Sequence, residues 1–245
     1  LRLGRDTFDF RTAVLYEDEA LLVVNKPAEI VTMQDNTPDA LSLQDLAKQL
    51  DPNLKACHRL DKPTTGAVVF AKTDAAYRSV SMQFERRAVE KLYWTIACGD
   101  PLTQPITVDL PLKTTGTGRV KPDYKSEKKS ITELEPLEQF RGGFQLLACQ
   151  PKTGRRHQIR GHLAHMDMPI VHDELYSGPK LFLSSIKRKY RGKREVEEQP
   201  ISRGLLLHAK VIGLQHPDSQ ERLRVEAPLP KNFELCLEKL RRFAG

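Results

Sequence analysis

The sequence predicts an α+β fold, and three observations lead to this prediction. Segments rich in β-branched and aromatic residues are numerous along the 245 residues, and short connections between them favour antiparallel pairing. Helical patterns are few and do not alternate regularly with the strands. Neither an internal repeat nor a shift in composition marks a boundary, so residues 1–245 are expected to form a single domain.

Charge, apolar runs and cysteine spacing indicate which classes of protein the chain can belong to. The chain has 39 Lys and Arg against 32 Asp and Glu, a formal charge of +7, which favours a polyanionic partner such as nucleic acid. No run of 18 apolar residues predicts a transmembrane helix, and the first residues lack the apolar core of a signal peptide. The four cysteines are scattered without CxxC spacing, which predicts neither a zinc site nor a redox pair and fits a reducing cytoplasm.

In the first half of the chain, residues 13–16 and 21–24 predict a hairpin, and Pro27 ends its second strand. A leucine stripe over residues 41–50 predicts a helix with Asp39 as its cap. Asp74 is expected to cap a second helix that ends near Arg86. Residues 89–97 are strongly β-prone.

In the second half, residues 100–130 predict loops and short strands. Residues 132–137 and 144–149 predict strands joined at Gly142 and Gly143. Two more strands are expected at residues 205–209 and 221–227, and a closing helix at residues 233–243.

Residues 58–66, HRLDKPTTG, form the stretch around which the chain is organised. Turn-forming residues follow Asp61, and residues 66–71 predict a buried strand. Asp61 is therefore expected on a loop just before a core strand, where catalytic groups are often found. On the residues alone, a surface ion pair between Arg59 and Asp61 in a solvated loop is an equally good interpretation.

Five further segments accompany this loop in order. They read NKPAE at 25–29, EKLYWTIACG at 90–99, TGRRHQIRGH at 153–162, PIVHDELYS at 169–177 and SRGLLLHA at 202–209. Together with HRLD they resemble the motifs of the RluA-type pseudouridine synthases over most of the chain. Glu29, His172 and Ser177 stand where glycine is usual in those motifs.

The resemblance implies isomerisation of uridine to pseudouridine in ribosomal or transfer RNA, on a long mixed sheet with helices around a central catalytic cleft. It implies Asp61 as the catalytic carboxylate, Arg160 as its basic partner, Tyr93 as a site residue and Arg59 as a wedge that supports the flipped base. An isomerisation requires no cofactor. A monomer without an N-terminal RNA-binding domain is expected.

The expected RNA contacts fall into two sets. The motifs supply His58, Arg155, His157, Gln158 and Ile159. A basic insertion at about residues 180–200 supplies a run in which six of eight residues are cationic, namely Lys187, Arg188, Lys189, Arg191, Lys193 and Arg194. The run is interpreted either as a phosphate-binding patch or as a solvated, mobile loop.

No metal site is expected. His157, His162 and His165 do not share one helix face, and no carboxylate or thiolate completes a ligand set. Two alternative functions remain: a non-catalytic RNA-binding protein, and a hydrolase built on His58 and Asp61. No serine or cysteine nucleophile motif accompanies that pair.

Overall fold

The computed structural model of the protein describes residues 2–3, 6–34, 41–190 and 197–245. The strands are β1 (Arg2–Leu3), β2 (Asp6–Thr7), β3 (Val14–Glu17), β4 (Leu21–Lys26), β5 (Lys55–Ala56), β6 (Thr65–Ala71), β7 (Glu90–Cys98), β8 (Ile106–Asp109), β9 (Leu112–Thr114), β10 (Val120–Pro122), β11 (Ile131–Phe140), β12 (Phe144–Pro151), β13 (Leu207–Gln215) and β14 (Arg222–Glu226). The helices are α1 (Leu43–Leu50), α2 (Asp74–Glu85), α3 (Gln158–His165), α4 (Leu183–Ile186) and α5 (Lys231–Ala244). Short 3-10 turns lie at Arg11–Ala13 and Glu174–Tyr176.

The chain forms two compact units. Unit 1 contains Leu1–Leu92 and His208–Pro228, and unit 2 contains Tyr93–Leu207 and Leu229–Gly245. The start of β7 belongs to unit 1 and the rest of that strand to unit 2.

Unit 1 is built on a sheet in the order β3-β4-β6-β13-β14, with β5 also pairing with β6. The pairing of β6 with β13 is parallel, and the other pairings in this sheet are antiparallel. Every residue of β6 is buried, as its unbroken apolar run predicts. Its side chains pack with those of β4, β13, β14 and α2 in one apolar cluster.

Unit 2 contains an antiparallel sheet in the order β7-β12-β11-β8, and a separate hairpin of β9 and β10. Gly142 and Gly143 join β11 to β12 and both have left-handed backbones, with φ of 83° and 78°, as the predicted glycine turn requires. Helices α3 and α5 pack against this sheet in a second apolar cluster. The predicted strands and the closing helix are thus present.

Two predicted helix caps are wrong. Asp39 lies outside the described residues, and the cap of α1 is Ser42, whose hydroxyl accepts from Asp45 N at 3.2 Å while the Asp45 carboxylate accepts from Ser42 N. The cap of α2 is Thr73, which accepts from Ala76 N at 3.1 Å. In both helices a hydroxyl satisfies an amide of the first turn.

These features confirm the predicted α+β class with mostly antiparallel sheets. The single domain stays a prediction. The predicted basic insertion contains α4 and the turn that follows it, and residues 191–196 of the insertion lie outside the described residues. Among the helices described, none has the length and apolar character needed to cross a membrane.

Candidate active site

Residues 58–64 form a loop in unit 1 between β5 and β6, and the motif continues into the first two residues of β6. Asp61 is half-buried, and its carbonyl accepts from Thr64 N at 3.0 Å to close a turn. Just after the loop, the second residue of β6 is Gly66, whose φ is 116° and whose backbone lies against Ala209 of β13. A β-carbon at Gly66 would lie 2.3 Å from Ala209 O, so only glycine fits this exit from the loop.

Lys26 fastens the loop from one side. This side chain is fully buried, and its Nζ donates to the carbonyl oxygens of Pro27, Ile30 and Lys62 at 2.8, 2.8 and 3.0 Å. Lys62 O also accepts from Glu29 N at 3.0 Å. The residue after Asp61 is therefore tied to the end of β4 through two donors.

Burial lowers the pKa of Lys26 to about 7, while the negative charges of Asp61 and Glu29 act in the opposite direction. Three carbonyl oxygens match the three N–H bonds of an ammonium group, which also favours the charged form. Lys26 thus joins the loop to β4 at the place where the catalytic carboxylate is expected.

Thr32 fastens the loop on the other side of Asp61. Its hydroxyl donates to Leu60 O and accepts from Leu60 N, both at 3.0 Å, and it is buried. One side chain therefore satisfies both backbone groups of the residue before Asp61, where no strand pairing is present to do so.

His58 supports the loop through its ring. Nε2 accepts from Val69 N at 3.1 Å, and the ring stacks on Phe84 with centroids 4.7 Å apart. Burial, with a smaller effect of Lys91, lowers the pKa of His58 to about 3, so the ring is neutral. These contacts give His58 a structural role, and its predicted contact with RNA stays a prediction. Arg59, the predicted wedge, is exposed.

His208 holds the end of the loop. Its Nε2 donates to Ala227 O at 3.2 Å, so Nδ1 accepts from the hydroxyl of Thr65 at 2.8 Å. Burial lowers the pKa of His208 to about 4. The parallel pairing of β6 with β13 begins at these same two residues, Thr65 and His208.

Arg160 lies in unit 2, in the first turn of α3. Its Nε and Nη2 donate to the two carboxylate oxygens of Asp173 at 2.7 and 2.8 Å, and both side chains are buried. Such a two-bond pair fixes the plane of the guanidinium group. Its predicted partnership with Asp61 stays a prediction; Asp173 is a partner that the sequence did not predict.

Tyr176 packs beside this ion pair. The guanidinium carbons of Arg160 and Arg119 lie 5.1 and 5.2 Å from its ring centroid. Its hydroxyl accepts from Val120 N at 2.7 Å and lies 3.2 Å from His157 Nδ1. Tyr176 therefore links α3 to the β9–β10 hairpin.

Two of the predicted RNA contacts, Gln158 and Ile159, have buried side chains, and their contact with RNA stays a prediction. Gln158 is buried: its Nε2 donates to Ile131 O and to the hydroxyl of Thr132, and its Oε1 accepts from Thr153 and from Arg155 N. Ile159 is buried in the apolar cluster of unit 2. Their side chains fix the start of α3 and are not available at the surface.

The remaining predicted site residues are partly buried or exposed where the structure describes them. Tyr93 is half-buried on β7, opposite Cys149 of β12, and packs against the apolar cluster of unit 2. His157 is half-buried beside Tyr176, and Arg155 is exposed. Of the basic run, Lys187, Arg188 and Lys189 are exposed in a turn after α4. Arg191, Lys193 and Arg194 lie outside the described residues.

The histidines at positions 157, 162 and 165 do not meet as ligands. His162 is buried, with its ring nitrogens 2.9 Å from the Thr132 hydroxyl and 3.0 Å from Leu110 O. No group of three or more His, Cys, Asp or Glu that could hold a metal ion occurs in the part of the chain that the structure describes.

Sequence reasoning missed four residues that organise the site: Lys26, Thr32, Asp173 and His208. Three of them stand inside quoted motifs, so a signal was present at Lys26, Asp173 and His208. Thr32 lies outside every motif, and only its contact with Leu60, 28 positions away, reveals it.

The three departures from the family motifs share one property. Glu29, His172 and Ser177 have φ values of 63°, 63° and 60°. Glycine adopts this left-handed conformation most readily. The turns that glycine would form are therefore retained here by other residues.

Comparison with known proteins identifies the family of the chain. The sequence model of the RNA pseudouridylate synthase family matches residues 20–165. The chain is 35% identical over 242 residues to "Uncharacterized RNA pseudouridine synthase slr1629" of Synechocystis, covering 93% of this chain and 68% of that protein. It is 34% identical to "Ribosomal large subunit pseudouridine synthase D" of Xanthomonas campestris, covering 95% of this chain and 70% of that protein.

Among solved structures, the chain resembles "Human RNA Pseudouridylate Synthase Domain Containing 4" with a TM-score of 0.71 and 27% identity. The match covers 95% of this chain and 94% of that one. The motifs, the fold and these matches all lead to one assignment. The chain belongs to the RNA pseudouridylate synthase family, whose members are isomerases.

Proposed function

We propose that this protein isomerises uridine to pseudouridine in RNA, with Asp61 as the essential carboxylate. The observation that carries the proposal is the way the Asp61 loop is held. Lys26 and Glu29 bind the residue after Asp61, and Thr32 binds the residue before it. A catalytic group must be held in place by its surroundings in this way before substrate arrives.

The reaction breaks the bond between C1′ of the ribose and N1 of uracil and forms a bond from C1′ to C5. A proton leaves C5 and one is bound at N1, so the product has the atoms of the substrate. Asp61 either attacks C1′ or removes a proton from the neighbouring ribose carbon, and both routes require its ionised form. No cofactor enters this balance of atoms and electrons.

We assign three supporting roles. Arg160, held in plane by Asp173, supplies positive charge for the Asp61 carboxylate. Tyr93 stacks on the uracil and takes part in removing the proton from C5. Arg59, exposed on the same loop as Asp61, enters the RNA and supports the flipped nucleotide, whose extrusion requires about a few kcal/mol.

The test is turnover by Asp61→Asn, which keeps the side chain's shape and removes its charge. RNA labelled with tritium at C5 of uridine releases tritium when pseudouridine forms. We expect the variant to be slower by about 100-fold or more, with RNA affinity and thermal stability unchanged. Asp74→Asn is the matched control, because Asp74 is exposed and forms an exposed ion pair with Lys55, and such pairs contribute little.

Tritium release by Asp61→Asn at a tenth of the wild-type rate or more would rule out Asp61 as the essential group. The same assay separates the alternatives. A non-catalytic RNA-binding protein would release no tritium in any variant, and a hydrolase would release uracil or shorten the RNA.

Ribosomal RNA is the first substrate to test, because the Xanthomonas relative is named for the large ribosomal subunit, and bulk transfer RNA is the second.

We propose a monomer that acts without a protein partner. Its four cysteines are free, which supports a cytoplasmic location.

A further inference from the structure

Tyr124 is an exposed aromatic residue with no packing role to explain it. Its exposed fraction is 77%, against 37–46% for the other exposed large hydrophobic side chains of the described residues. Exposed aromatic rings of this kind are typical of contact surfaces.

The backbone presents this ring on an ordered turn. Ser126 N donates to Asp123 O at 3.0 Å, which places Tyr124 and Lys125 at the tip, and Asp123 N donates to Pro111 O at 2.8 Å. The Asp123 carboxylate accepts from Lys113 Nζ at 3.3 Å. Because the turn is fixed at its base, Tyr124 loses little freedom when a ligand covers it.

Positive charge is concentrated in the chain segment that carries the ring. Four exposed lysines lie within residues 121–129, namely Lys121, Lys125, Lys128 and Lys129. Within the described ranges, none of these four ammonium groups forms an ion pair with a carboxylate. Of the two acidic residues in the segment, Asp123 is already paired with Lys113, which leaves Glu127 to oppose the lysines.

The turn is attached to the helix that carries Arg160. The Tyr124 hydroxyl lies 3.5 Å from His165 Nε2 at the end of α3. Three residues before the same helix begins, the exposed Arg155 donates from Nε to Lys129 O at 3.3 Å. The exposed cations therefore include Arg155, which is bonded to the end of the lysine-rich segment.

We propose that Tyr124 and the four lysines form a platform for a single-stranded segment of the substrate RNA, in which one base stacks on the ring and neighbouring phosphates meet the lysines. The proposal rests on RNA being the substrate. An aromatic ring flanked by cations is the arrangement that binds single strands without reading their sequence. A base inside a duplex cannot reach a ring at a turn tip, because both its faces are already stacked.

The test measures affinity for a single-stranded RNA oligonucleotide that contains 2-aminopurine, in an Asp61→Asn background that prevents turnover. Tyr124→Ala is expected to bind about 5- to 100-fold more weakly, the range measured for loss of one base–aromatic stack, and to lose quenching of the 2-aminopurine fluorescence. Tyr124→Phe keeps the ring and should bind within about two-fold of the parent.

The matched control is Tyr77→Ala. Tyr77 is 37% exposed in unit 1 and also has a lysine, Lys55, near its ring, so it reproduces the chemistry at a residue that is not part of the turn. Tyr77→Ala should bind as the parent does.

Salt dependence tests the lysines separately. Replacing Lys121, Lys125 and Lys128 by Gln should flatten the slope of log K against log salt by about 2, since each phosphate contact on a single strand contributes about 0.7. Tyr124→Ala should leave the slope unchanged, because stacking releases no counterions.

Three results would overturn the platform: parent-like affinity of Tyr124→Ala, equal weakening by Tyr124→Phe, or equal weakening on a fully paired duplex. A protein-binding role for the turn would give the first of these. If the wild type releases no tritium from RNA while Tyr124→Ala still weakens binding, the proposed isomerisation fails and the platform stands.

Discussion

The hydroxyl group of Thr32 holds the backbone immediately before Asp61. It satisfies both the amide and the carbonyl of Leu60 at 3.0 Å in a buried position. Its removal leaves two buried backbone groups without a partner, so Thr32→Val should lower the free energy of unfolding by about 1–3 kcal/mol. Thr32→Ser retains the hydroxyl and should recover most of this stability.

Thr64 offers a matched control in the same loop. Its hydroxyl is also buried, but it has no hydrogen-bond partner within the described residues. Thr64→Val should therefore leave stability unchanged or raise it, since a buried hydroxyl without a partner is unfavourable. Urea unfolding of the three variants measures the difference, and equal stabilities of Thr32→Val and Thr64→Val would contradict the role assigned to Thr32.

Local chemistry made the placement of some site residues predictable from the sequence. Turn formers after Asp61 placed it on a loop before β6, and that placement is confirmed. The contacts of Lys26 and Thr32 were not predictable, because their partners Lys62 and Leu60 lie 36 and 28 positions away. Periodicity carries no information on contacts at such distances.

The pairing of strand β6 with strand β13 depends on Gly66. Its φ of 116° and the 2.3 Å approach to Ala209 O leave no room for a β-carbon. Gly66→Ala should therefore separate the two strands and displace the Asp61 loop. We expect a loss of about 1–2 kcal/mol from the left-handed backbone and about 1–3 kcal/mol more from overpacking.

Gly204→Ala isolates the first of these two effects. Gly204 has a φ of 86° and no atom within 4 Å of an added β-carbon, so it should show only the backbone penalty. Thermal unfolding of both variants gives the comparison. Equal losses would mean that the approach of Ala209 to Gly66 is relaxed at little cost.

Whether a segment forms a helix or a strand was predictable where its hydrophobic pattern was strong. The buried run of β6 and the apolar stripe of α5 both appear where the sequence indicates. The caps were less predictable, because Asp39 and Ser42 are both good capping residues. What selects Ser42 is the reciprocal bond with Asp45, which requires the helix to begin at Leu43.

For the whole molecule, the division into two units could not be predicted from composition. The strands β7 and β13 each contribute residues to both units, so no linker or change in residue usage marks the boundary. A boundary that runs through strands gives no sequence signal of the kind that flexible linkers give.

The stability of the whole chain should depend on buried neutral histidines. Burial lowers the pKa of His208 to about 4 and that of His58 to about 3, against 6.5 for an ordinary histidine. Below pH 6.5 the unfolded chain therefore binds protons that the folded chain does not. Stability must fall as the pH falls from 6.5 towards 4. Lys26 extends this pH dependence of stability to higher pH. Its pKa is lowered from 10.5 to about 7 in the folded chain, so between these values the unfolded chain binds the extra proton and stability rises with pH.

His208→Asn tests this account. Asparagine keeps an acceptor for the Thr65 hydroxyl but cannot take up a proton. Between pH 6.5 and 4, the variant should therefore lose the contribution of one proton to the slope of unfolding free energy against pH, which is about 1.4 kcal/mol per pH unit. The variant is less stable at pH 7, since the bond to Ala227 O is weakened, but loses less on acidification. Urea titrations across this pH range supply the measurement, and a wild-type slope in His208→Asn would show that His208 already carries its proton in the folded chain.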